Sequence, residues 1–386
     1  MIVGIVRESC PGEHRVALVP QAVAGLIKAG MEILIERGAG TAAGFLDDQY
    51  QAQGAKLADS RADVFRQANI LLQVRSLGSN PTAGRSDLDL IRPELTLIGF
   101  ADPLGAPQLA REMAGKGCRL FSMELMPRIT RAQSMDALSS MATLAGYKAV
   151  LLAATTLPKM FPMMMTAAGT ITAAKALIIG AGVAGLQAIA TARRNGAVVQ
   201  AYDVRPAAKE QCESLGAKFV ELPLDTKGAE GAGGYAKEQD AEFLRKQREF
   251  MEKVVGDSDI VVTTAAIPGK KSPVLVTKEM VARMRPGSVI VDLAAERGGN
   301  CELTKADETI VVGGVTIMGP TNLPATVPYH ASQMYSKNIT TFLNHLVKKG
   351  ELIVDKTDEI TRDTLITEGG EVVHGRIKDL LAASGS

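Results

Sequence analysis

The sequence predicts an α/β protein made of two doubly wound parallel-sheet domains that are joined by long helices. Short apolar runs alternate with helical patterns, which is typical of parallel sheets covered by helices on both faces. The chain has 386 residues, of which 46% are hydrophobic, so it is long enough for two domains with separate cores. Six apolar runs in the second half match the strand count of a Rossmann fold, and we predict that fold for the second domain.

The first domain is predicted from strands and helices that alternate at short intervals. The predicted strands are residues 2–6, 32–36, 70–74, 96–99 and 119–122, and the predicted helices are residues 21–29, 47–53, 61–67 and 107–115. A late helical pattern at 331–348 and the polar tail from Glu351 are expected to return to this domain. We predict a flavodoxin-like domain of residues 1–133 plus about 330–386.

A long helix at 134–154 is predicted to lead into the second domain. Ser134 is its expected N-cap, and Asp136 in the first turn suits the helix dipole. The strands that follow are predicted at 176–179, 198–202, 218–220, 260–264, 289–293 and 315–318. We predict a Rossmann domain of residues 134–329, with the linking helix included.

A glycine-rich interval interrupts the second domain at 221–240. It contains four glycines and few large apolar residues, which predicts a mobile surface loop of the kind that covers ligands. A charged helix at 241–255 is predicted to follow it.

Composition excludes several classes of protein. The net charge of +1 and the 4% of aromatic residues give no basis for a nucleic-acid partner. The four cysteines are far apart, which disfavours a zinc site or a disulfide framework and favours a reducing cytoplasmic compartment; no metal site is predicted. The N-terminus lacks the features of a signal peptide. Lysines and prolines interrupt the apolar region 141–192, so no transmembrane helix is expected.

The strongest motif is Gly180-Ala181-Gly182-Val183-Ala184-Gly185, which stands between a predicted strand and a predicted helix. Gly180 permits a tight turn, Gly182 lets a diphosphate approach the backbone, and Gly185 lets helix and strand pack closely. The helix N-terminus attracts the anion. The structural alternative is a glycine-rich turn without a ligand.

Asp203 ends the next predicted strand, where an acid accepts hydrogen bonds from the adenosine ribose and repels a 2′-phosphate. The motif therefore predicts NAD(H). Arg205 leaves NADP(H) open as the alternative, because an arginine there could meet a 2′-phosphate. A second glycine cluster, at Gly38, Gly40 and Gly44, lacks this spacing and the following acid, so we interpret it as structural.

The polar segment 125–136 admits two interpretations. Arg128 could reach phosphate or carboxamide oxygens, and Gln133 and Asp136 could hold ribose hydroxyls, because ligands of open α/β sheets bind beyond the carboxyl ends of the strands. A solvated loop that ends in a helix cap explains the same residues. The residues alone do not separate these two interpretations.

Several motifs together resemble one known family over essentially the whole chain. They are Arg7-Glu8, Pro11-Gly12-Glu13-His14-Arg15-Val16, Met123-Glu124-Leu125-Met126-Pro127-Arg128-Ile129, Arg131-Ala132-Gln133-Ser134-Met135-Asp136, Leu144-Ala145-Gly146-Tyr147, Gly180–Gly185, Gly233-Gly234-Tyr235-Ala236-Lys237-Glu238, Ile267-Pro268-Gly269-Lys270, Asp292-Leu293-Ala294-Ala295-Glu296 and Gly298-Gly299-Asn300-Cys301. The family is the soluble NAD(H)-binding domain I of proton-translocating nicotinamide nucleotide transhydrogenases, within the alanine dehydrogenase/transhydrogenase superfamily.

The resemblance implies roles for individual residues. The residues implied around the nicotinamide and its ribose, with catalytic roles, are Arg128, Gln133, Asp136 and Ser139, with Ile129 beside them. The residues implied in binding the rest of the dinucleotide are Gly180, Gly182, Val183, Gly185, Asp203, Val204, Arg205, Gly234, Gln247 and Ala266. Tyr235 is implied to lie on the loop that closes over the bound nucleotide.

The resemblance also implies an assembly. Members form homodimers and dock with a separate NADP(H)-binding domain, and hydride passes directly between the two nicotinamides. A membrane-embedded subunit couples that transfer to proton movement. This chain is therefore expected in the cytoplasm, held at the inner (plasma) membrane through its partner subunits.

Two other functions remain as alternatives. Alanine dehydrogenase resembles the chain over the same span, including Arg15, but it places a lysine near the strand end at Arg75 and a histidine near Asp102. Neither residue is present here, although amine oxidation needs a base. The second alternative is an NAD-binding regulator without catalytic activity.

Overall fold

The computed structural model describes residues 1–221, 241–267 and 269–383, which form two compact units. The first unit comprises Met1–Met141 and Pro324–Ser386, and the second comprises Ala142–Leu323. The second unit is therefore inserted into the first. The division at residue 141 falls inside the linking helix rather than at its start.

The strands are short, and most of their residues are buried. In the described residues they are β1 (Ile2–Ile5), β2 (Glu32–Glu36), β3 (Lys56–Ala58), β4 (Ile70–Arg75), β5 (Thr96–Phe100), β6 (Arg119–Ser122), β7 (Met164–Thr166), β8 (Gly169–Ile171), β9 (Lys175–Ile179), β10 (Val198–Tyr202), β11 (Lys218–Phe219), β12 (Ile260–Thr263), β13 (Val289–Asp292), β14 (Thr309–Val312), β15 (Val315–Met318), β16 (Val347–Lys348), β17 (Glu351–Leu352), β18 (Leu365–Glu368) and β19 (Glu371–Val372).

The helices of the described residues alternate with these strands. They are α1 (Pro20–Lys28), α2 (Asp47–Ala52), α3 (Arg61–Gln67), α4 (Pro107–Gly115), α5 (Ala137–Thr156), α6 (Val183–Arg194), α7 (Ala208–Ser214), α8 (Ala241–Gly256), α9 (Lys278–Arg283), α10 (Pro328–Leu346), α11 (Glu359–Thr364) and α12 (Gly375–Ala383).

The sheet of the first unit has eight strands in the order β19-β18-β6-β5-β4-β1-β2-β3. The five strands that the sequence predicts are parallel and, counted among themselves, follow the flavodoxin order 2-1-3-4-5. The sequence does not predict the short strand β3, which extends the parallel order to 3-2-1-4-5-6. Strands β18 and β19 from the polar tail close the other edge in antiparallel orientation.

The sheet of the second unit has the order β11-β10-β9-β12-β13-β15-β14. All six predicted strands form and are parallel, in the Rossmann order 3-2-1-4-5-6. Strand β14, which the sequence does not predict, pairs antiparallel at the edge. The predicted fold class, two parallel-sheet α/β domains, is confirmed.

Helix α5 starts later than the sequence predicts. The prediction of Ser134 as N-cap is wrong, because residues Thr130–Met135 form a 3-10 helix and α5 begins at Ala137. Asp136 takes the capping role, since its Oδ1 accepts a hydrogen bond from the backbone N–H of Ser139 at 2.9 Å. Ser134 and Asp136 are both residue types that cap helices. Asp136 forms the cap because its carboxylate lies three positions before the Ser139 N–H that it accepts from.

Helix α5 is also the one described helix that is long and apolar enough to cross a membrane, judged by length and composition alone, with a mean hydropathy of 1.3. The core helices of other proteins pass the same test. Ala149, Val150 and Ala153 of α5 pack into the hydrophobic core of the second unit, together with Ile178 of β9 and Ile189 of α6.

Candidate dinucleotide-binding site

The glycine motif forms a tight turn between β9 and α6. Gly180 has a φ of +95°, which only glycine adopts readily, and its N–H donates to the carbonyl of Tyr202 at the end of β10. Gly182 is the N-cap, and α6 begins at Val183. The first N–H groups of a helix lack partners within the helix, so this turn presents donors to an anion.

The three glycines of the turn differ in how much space a side chain would have there. A Cβ at Gly185 would lie 1.8 Å from the carbonyl oxygen of Gly180, and a Cβ at Gly180 would lie 2.6 Å from Oγ1 of Thr264. A Cβ at Gly182 would have no heavy atom within 4 Å. The turn is therefore closed on the side of the sheet and open at Gly182, which is the space that a diphosphate needs.

Asp203 connects the end of β10 to this turn. Its carboxylate is nearly buried and accepts a hydrogen bond from the N–H of Ala181 at 2.7 Å. Arg205 donates to the same carboxylate through its backbone N–H at 2.8 Å and through Nε and Nη2 at 2.9 and 2.8 Å. The guanidinium therefore lies against the acid, and the half-buried Val204 stands between the two residues.

Two residues that support the turn are not among the residues predicted for the site. Oγ1 of Thr264 donates to the carbonyl of Gly180 at 2.9 Å. The Asn300 amide accepts from the N–H of Ala265 and donates to the carbonyl of the same residue, each at 2.9 Å. These bonds fix the segment after β12, in which Ala266 is exposed. The glycines before Asn300 are the one available signal.

The polar segment of the first unit forms a compact 3-10 turn before α5. Arg128 and Gln133 are exposed, and Ile129 is half-buried at the start of the turn. Asp136 and Ser139 are in direct contact, because the Ser139 hydroxyl donates to Oδ2 of Asp136 at 2.6 Å in addition to the backbone bond. The structure thus joins these two of the predicted residues in one capping pair.

A cavity of about 560 Å³ is lined by Ala154, residues 157–162 and Asn195 of the second unit. A second cavity, of about 420 Å³, lies beside Gln133. The smaller cavity is lined by Gln133, Ser134 and Ser140 from the segment around the 3-10 turn and by Gln333, Met334, Lys337 and Asn338 from α10. Both sides of this cavity belong to the first unit.

Three predicted site residues cannot be placed. Gly234 and Tyr235 lie outside the described residues, as do residues 222–240 of the predicted loop 221–240. Gln247 belongs to α8, but its side chain is outside the described part as well.

The corresponding edge of the first sheet holds a network of buried charges. Arg15 donates to Glu13 through Nε at 2.7 Å and Nη2 at 2.6 Å, and both residues are almost fully buried. Nε of Arg75, at the end of β4, lies 3.3 Å from the same Glu13 carboxylate. Arg75 also donates to the carbonyl of Ser79. The buried Arg15 and the half-buried Arg75 therefore share one carboxylate of the chain itself.

Glu8 and Glu124 are two further acids at this edge. Glu8 accepts hydrogen bonds from the N–H groups of Val74 and Arg75 at 2.6 and 3.0 Å. Burial, together with the nearby Glu13 charge, raises the pKa of Glu8 to about 7, although the two N–H groups act to lower it. Burial also raises the pKa of Glu124.

The four histidines do not form an acid–base pair with these groups. His14 and His330 are exposed. Nε2 of His345 contacts Oδ1 of Asp358 at 3.2 Å and Oγ1 of Thr361 at 3.1 Å. Burial lowers the pKa of His345 and of His374.

The strand order, the glycine turn and the acid after β10 define a Rossmann-type protein with the features of a nicotinamide-dinucleotide site. Family models described as alanine dehydrogenase/PNT match residues 4–145 with the N-terminal domain and residues 149–375 with the C-terminal domain. The chain belongs to this alanine dehydrogenase/PNT family.

Transhydrogenase subunits are among the similar proteins. The chain is 46% identical over 377 residues to an NAD(P) transhydrogenase alpha-subunit polypeptide of Rhodospirillum rubrum, covering 97% of this chain and 98% of that protein. A transhydrogenase crystal structure from Sinorhizobium meliloti matches with a TM-score of 0.83 and 44% identity, covering 97% of this chain and 99% of that one.

Alanine dehydrogenase is a more distant homologue. The enzyme of Bacillus subtilis is 27% identical over 383 residues, covering 97% of this chain and 93% of that protein. The identity is well below that of the transhydrogenase subunits, so the resemblance to transhydrogenase stated from the sequence motifs is confirmed.

Proposed function

We propose that this chain is the NAD(H)-binding component of a proton-translocating nicotinamide nucleotide transhydrogenase, which exchanges hydride with NADP(H) held by a partner domain. The observation that carries the proposal is the glycine turn, which is open at Gly182 beside the N-terminus of α6 and has Asp203 hydrogen-bonded to it. The similarity to named transhydrogenase subunits supports the same activity.

The adenosine half of NAD(H) is assigned to the second unit. The open space at Gly182 and the donors at the start of α6 suit the diphosphate. Asp203 accepts from the ribose hydroxyls, and Val183, Val204 and Ala266 complete the surface. Arg205 is held by Asp203 at 2.8 Å, so the acid keeps it from a 2′-phosphate and NAD(H) is the preferred nucleotide.

The nicotinamide half is assigned to the polar segment of the first unit. Arg128 and Gln133 are exposed, and we assign them to the carboxamide or the diphosphate. The Asp136–Ser139 pair offers oxygens to ribose hydroxyls. Ile129 contributes an apolar contact to the ring. We assign further contacts to Gly234, Tyr235 and Gln247. When bound, the nicotinamide supplies or accepts the hydride.

The charged edge of the first sheet supports hydride exchange over amino-acid oxidation. Exchange between two nicotinamides needs no general base, whereas amine oxidation releases protons and does need one. At the strand ends where the dehydrogenase alternative places a lysine and a histidine, this chain has Arg75, which pairs with Glu13, and Asp102. Arg15 is likewise engaged by Glu13 and not open to a substrate carboxylate.

The proposal includes an assembly of several subunits. An exposed apolar hairpin, β7–β8, supports a homodimer: Met163 and Met165 are 62% and 80% exposed, and apolar patches of this kind mark protein–protein contacts. The NADP(H)-binding domain and a membrane-embedded proton-channel subunit are the other partners, and they hold this chain at the inner membrane. Sedimentation of the wild type and of a Met165→Lys variant tests the dimer; a monomeric wild type would contradict it.

Hydride transfer is the direct test. NADH oxidation by an oxidised NADP+ analogue is measured with the chain alone and with an NADP(H)-binding transhydrogenase component added, and the reduction of NAD+ by alanine is measured separately. We expect turnover that depends on the added component. Turnover with alanine in its absence would refute the proposal, and tight NADH binding without turnover in either assay would favour a regulator.

A second experiment tests the nucleotide preference. Titration with NADH and NADPH should give tighter binding of NADH to the wild type. Asp203→Ala removes the acceptor and releases Arg205, so the preference should fall by about tenfold or more. A variant that retains the full preference would refute the role of Asp203, and Asp257→Ala, which changes an exposed acid of the same unit, is the matched control.

A further inference from the structure

The 3-10 turn that presents Gln133 is tied on both sides to segments from the end of the chain. At its two ends, Ala132 donates to the Ile129 carbonyl at 3.0 Å and Asp136 donates to the Gln133 carbonyl at 3.3 Å. The turn is a 3-10 helix of six residues, and 3-10 hydrogen bonds have poorer geometry than those of an α-helix. Its position therefore depends on what it contacts.

The first tie is made by Asn338 on α10. Its Nδ2 donates to the carbonyl of Ser134, directly after Gln133, at 3.0 Å. Asn338 is 5% exposed, and among the described residues its Oδ1 is one of the few buried side-chain atoms without a hydrogen-bond partner. Burying an amide side chain whose oxygen has no hydrogen-bond partner is less favourable than burying an apolar side chain of similar size. Its presence here is explained by the bond to Ser134.

The second tie is made by Asp358, the N-cap of α11. Its Oδ2 lies 2.6 Å from Nη2 of Arg131, two residues before Gln133. Its Oδ1 accepts from the N–H groups of Ile360 and Thr361 at 2.9 and 3.2 Å. Asp358 is thus fixed by a helix end. Although burial acts to raise the pKa of Asp358, the hydrogen bond from Arg131 contributes to holding it below its usual value.

We propose that Asn338 and Asp358 are positioning residues that hold the turn from both sides, so that Gln133 is presented to the nicotinamide half of NAD(H). The inference rests on the proposed function for the role of Gln133 and on the contacts above for the two ties. Both residues act through the turn and not by contact with the reacting atoms. Two residues from the last fifty of the chain then set the geometry of hydride transfer.

The variants separate the ties from general stability. Asn338→Leu removes the donor at nearly constant volume, and Asp358→Asn keeps a good N-cap but removes the charge that Arg131 needs. Asn344→Leu is the matched control, because it makes the same change at an exposed position of α10. If Asn338→Leu fails to fold, Asp358→Asn carries the test alone.

The full chain is assayed together with an NADP(H)-binding transhydrogenase component, and two readouts are taken. Amide hydrogen exchange of residues 129–136 should rise about tenfold in both variants and stay unchanged in the control. kcat for hydride transfer should fall about tenfold, because small misplacements are costly, while KM for NADH changes less than about threefold. Unchanged exchange and unchanged kcat in a folded variant would overturn the proposal.

Gln133→Ala distinguishes this failure from a failure of the proposed function. If Gln133→Ala lowers kcat but the two positioning variants leave both readouts at wild-type values, the ties are refuted and the site stands. If Gln133→Ala has no effect on kcat, the assigned role of the turn is wrong. The part of the proposal that concerns Gln133 is then overturned too.

Discussion

The two sheets share the parallel strand order 3-2-1-4-5-6, but the segment after their first strand differs. In the second unit β9 leads into a glycine turn that is open at Gly182 and starts α6 at once. In the first unit β1 leads to Glu8, whose carboxylate accepts the N–H groups of Val74 and Arg75 at the end of β4. The turn after β9 leaves N–H donors at the start of α6 for a ligand, whereas the N–H groups at the end of β4 are already bonded to Glu8.

Each edge also holds an acid paired with an arginine, Glu13 with Arg15 and Asp203 with Arg205. The pair of the first unit is almost fully buried, whereas the arginine side chain of the second unit is 18% exposed and its acid bonds to the open glycine turn. Strand order alone therefore does not make a nucleotide site. The residues between the first strand and the next helix decide whether the edge is filled from within or left for a ligand.

The largest effect is expected from closing the glycine turn. In Gly185→Ala the new Cβ would lie 1.8 Å from the Gly180 carbonyl, so helix α6 must move. We expect the free energy of unfolding to fall by about 4 kcal/mol or more and NADH binding to be lost. Urea unfolding and NADH titration measure the two effects.

Gly25→Ala is the matched control for this variant. Gly25 is an exposed position of α1 where a Cβ meets nothing within 4 Å, so the change should stabilise by about 0.5–1 kcal/mol. Wild-type stability of Gly185→Ala would show that the turn is not closely packed.

The second-largest effect should come from the edge of the first sheet, where Glu13 pairs with the buried Arg15. Glu13→Ala leaves the buried Arg15 guanidinium without its carboxylate, which should destabilise the protein by about 3–5 kcal/mol while the Kd for NADH stays within about twofold. The exposed pair Glu32–Lys56 provides the control, since Glu32→Ala should cost under about 1 kcal/mol. Equal losses in the two variants would remove the distinction between buried and surface charges.

A pH-dependent effect should come from Glu8. Its pKa is about 7 in the folded protein, against an ordinary value of 4.5, so the folded state binds more protons between these values. Wild-type stability should therefore fall relative to Glu8→Gln as the pH rises from about 4.5 to 7, by up to about 3 kcal/mol, and not change further above that interval. Unfolding of both proteins between about pH 4 and pH 8.5 measures this. A constant difference would contradict the raised pKa.

The smallest effect is expected at the open glycine. Gly182→Ala meets no protein atom within 4 Å, so Tm should be unchanged. Its methyl group enters the space assigned to the diphosphate, and the Kd for NADH should rise about tenfold, equal to about 1.4 kcal/mol. A Kd like that of the wild type would show that the nucleotide does not approach this residue.

Much of the second unit is predictable because its strands are buried and nearly all apolar. All six predicted strands form, and Thr277, a residue of the type that favours N-caps, caps α9, since its hydroxyl accepts from the N–H of Met280. The second glycine cluster has the structural role expected: Gly38 and Gly44 have positive φ, and a Cβ at Gly40 would lie 2.6 Å from the Tyr50 hydroxyl.

The elements that the sequence does not predict are short or depend on distant contacts. Strand β3 has three residues, too few for a pattern, and β18 forms because it pairs with β6, more than 240 residues earlier. The start of α5 is misplaced because two capping residues, Ser134 and Asp136, compete within three positions. The ties of Asn338 and Asp358 to the 3-10 turn carry no local signal, since each joins segments that only the fold brings together.

The insertion of one unit into the other has a consequence for synthesis. The second unit, Ala142–Leu323, is continuous, whereas the first needs Pro324–Ser386 to supply α10 and the edge strand β18. During synthesis, the second unit can therefore fold before the first unit, which is incomplete until residues 324–386 have been made. In chains truncated after about residue 323, we expect the second unit to resist protease and residues 1–141 to be cleaved.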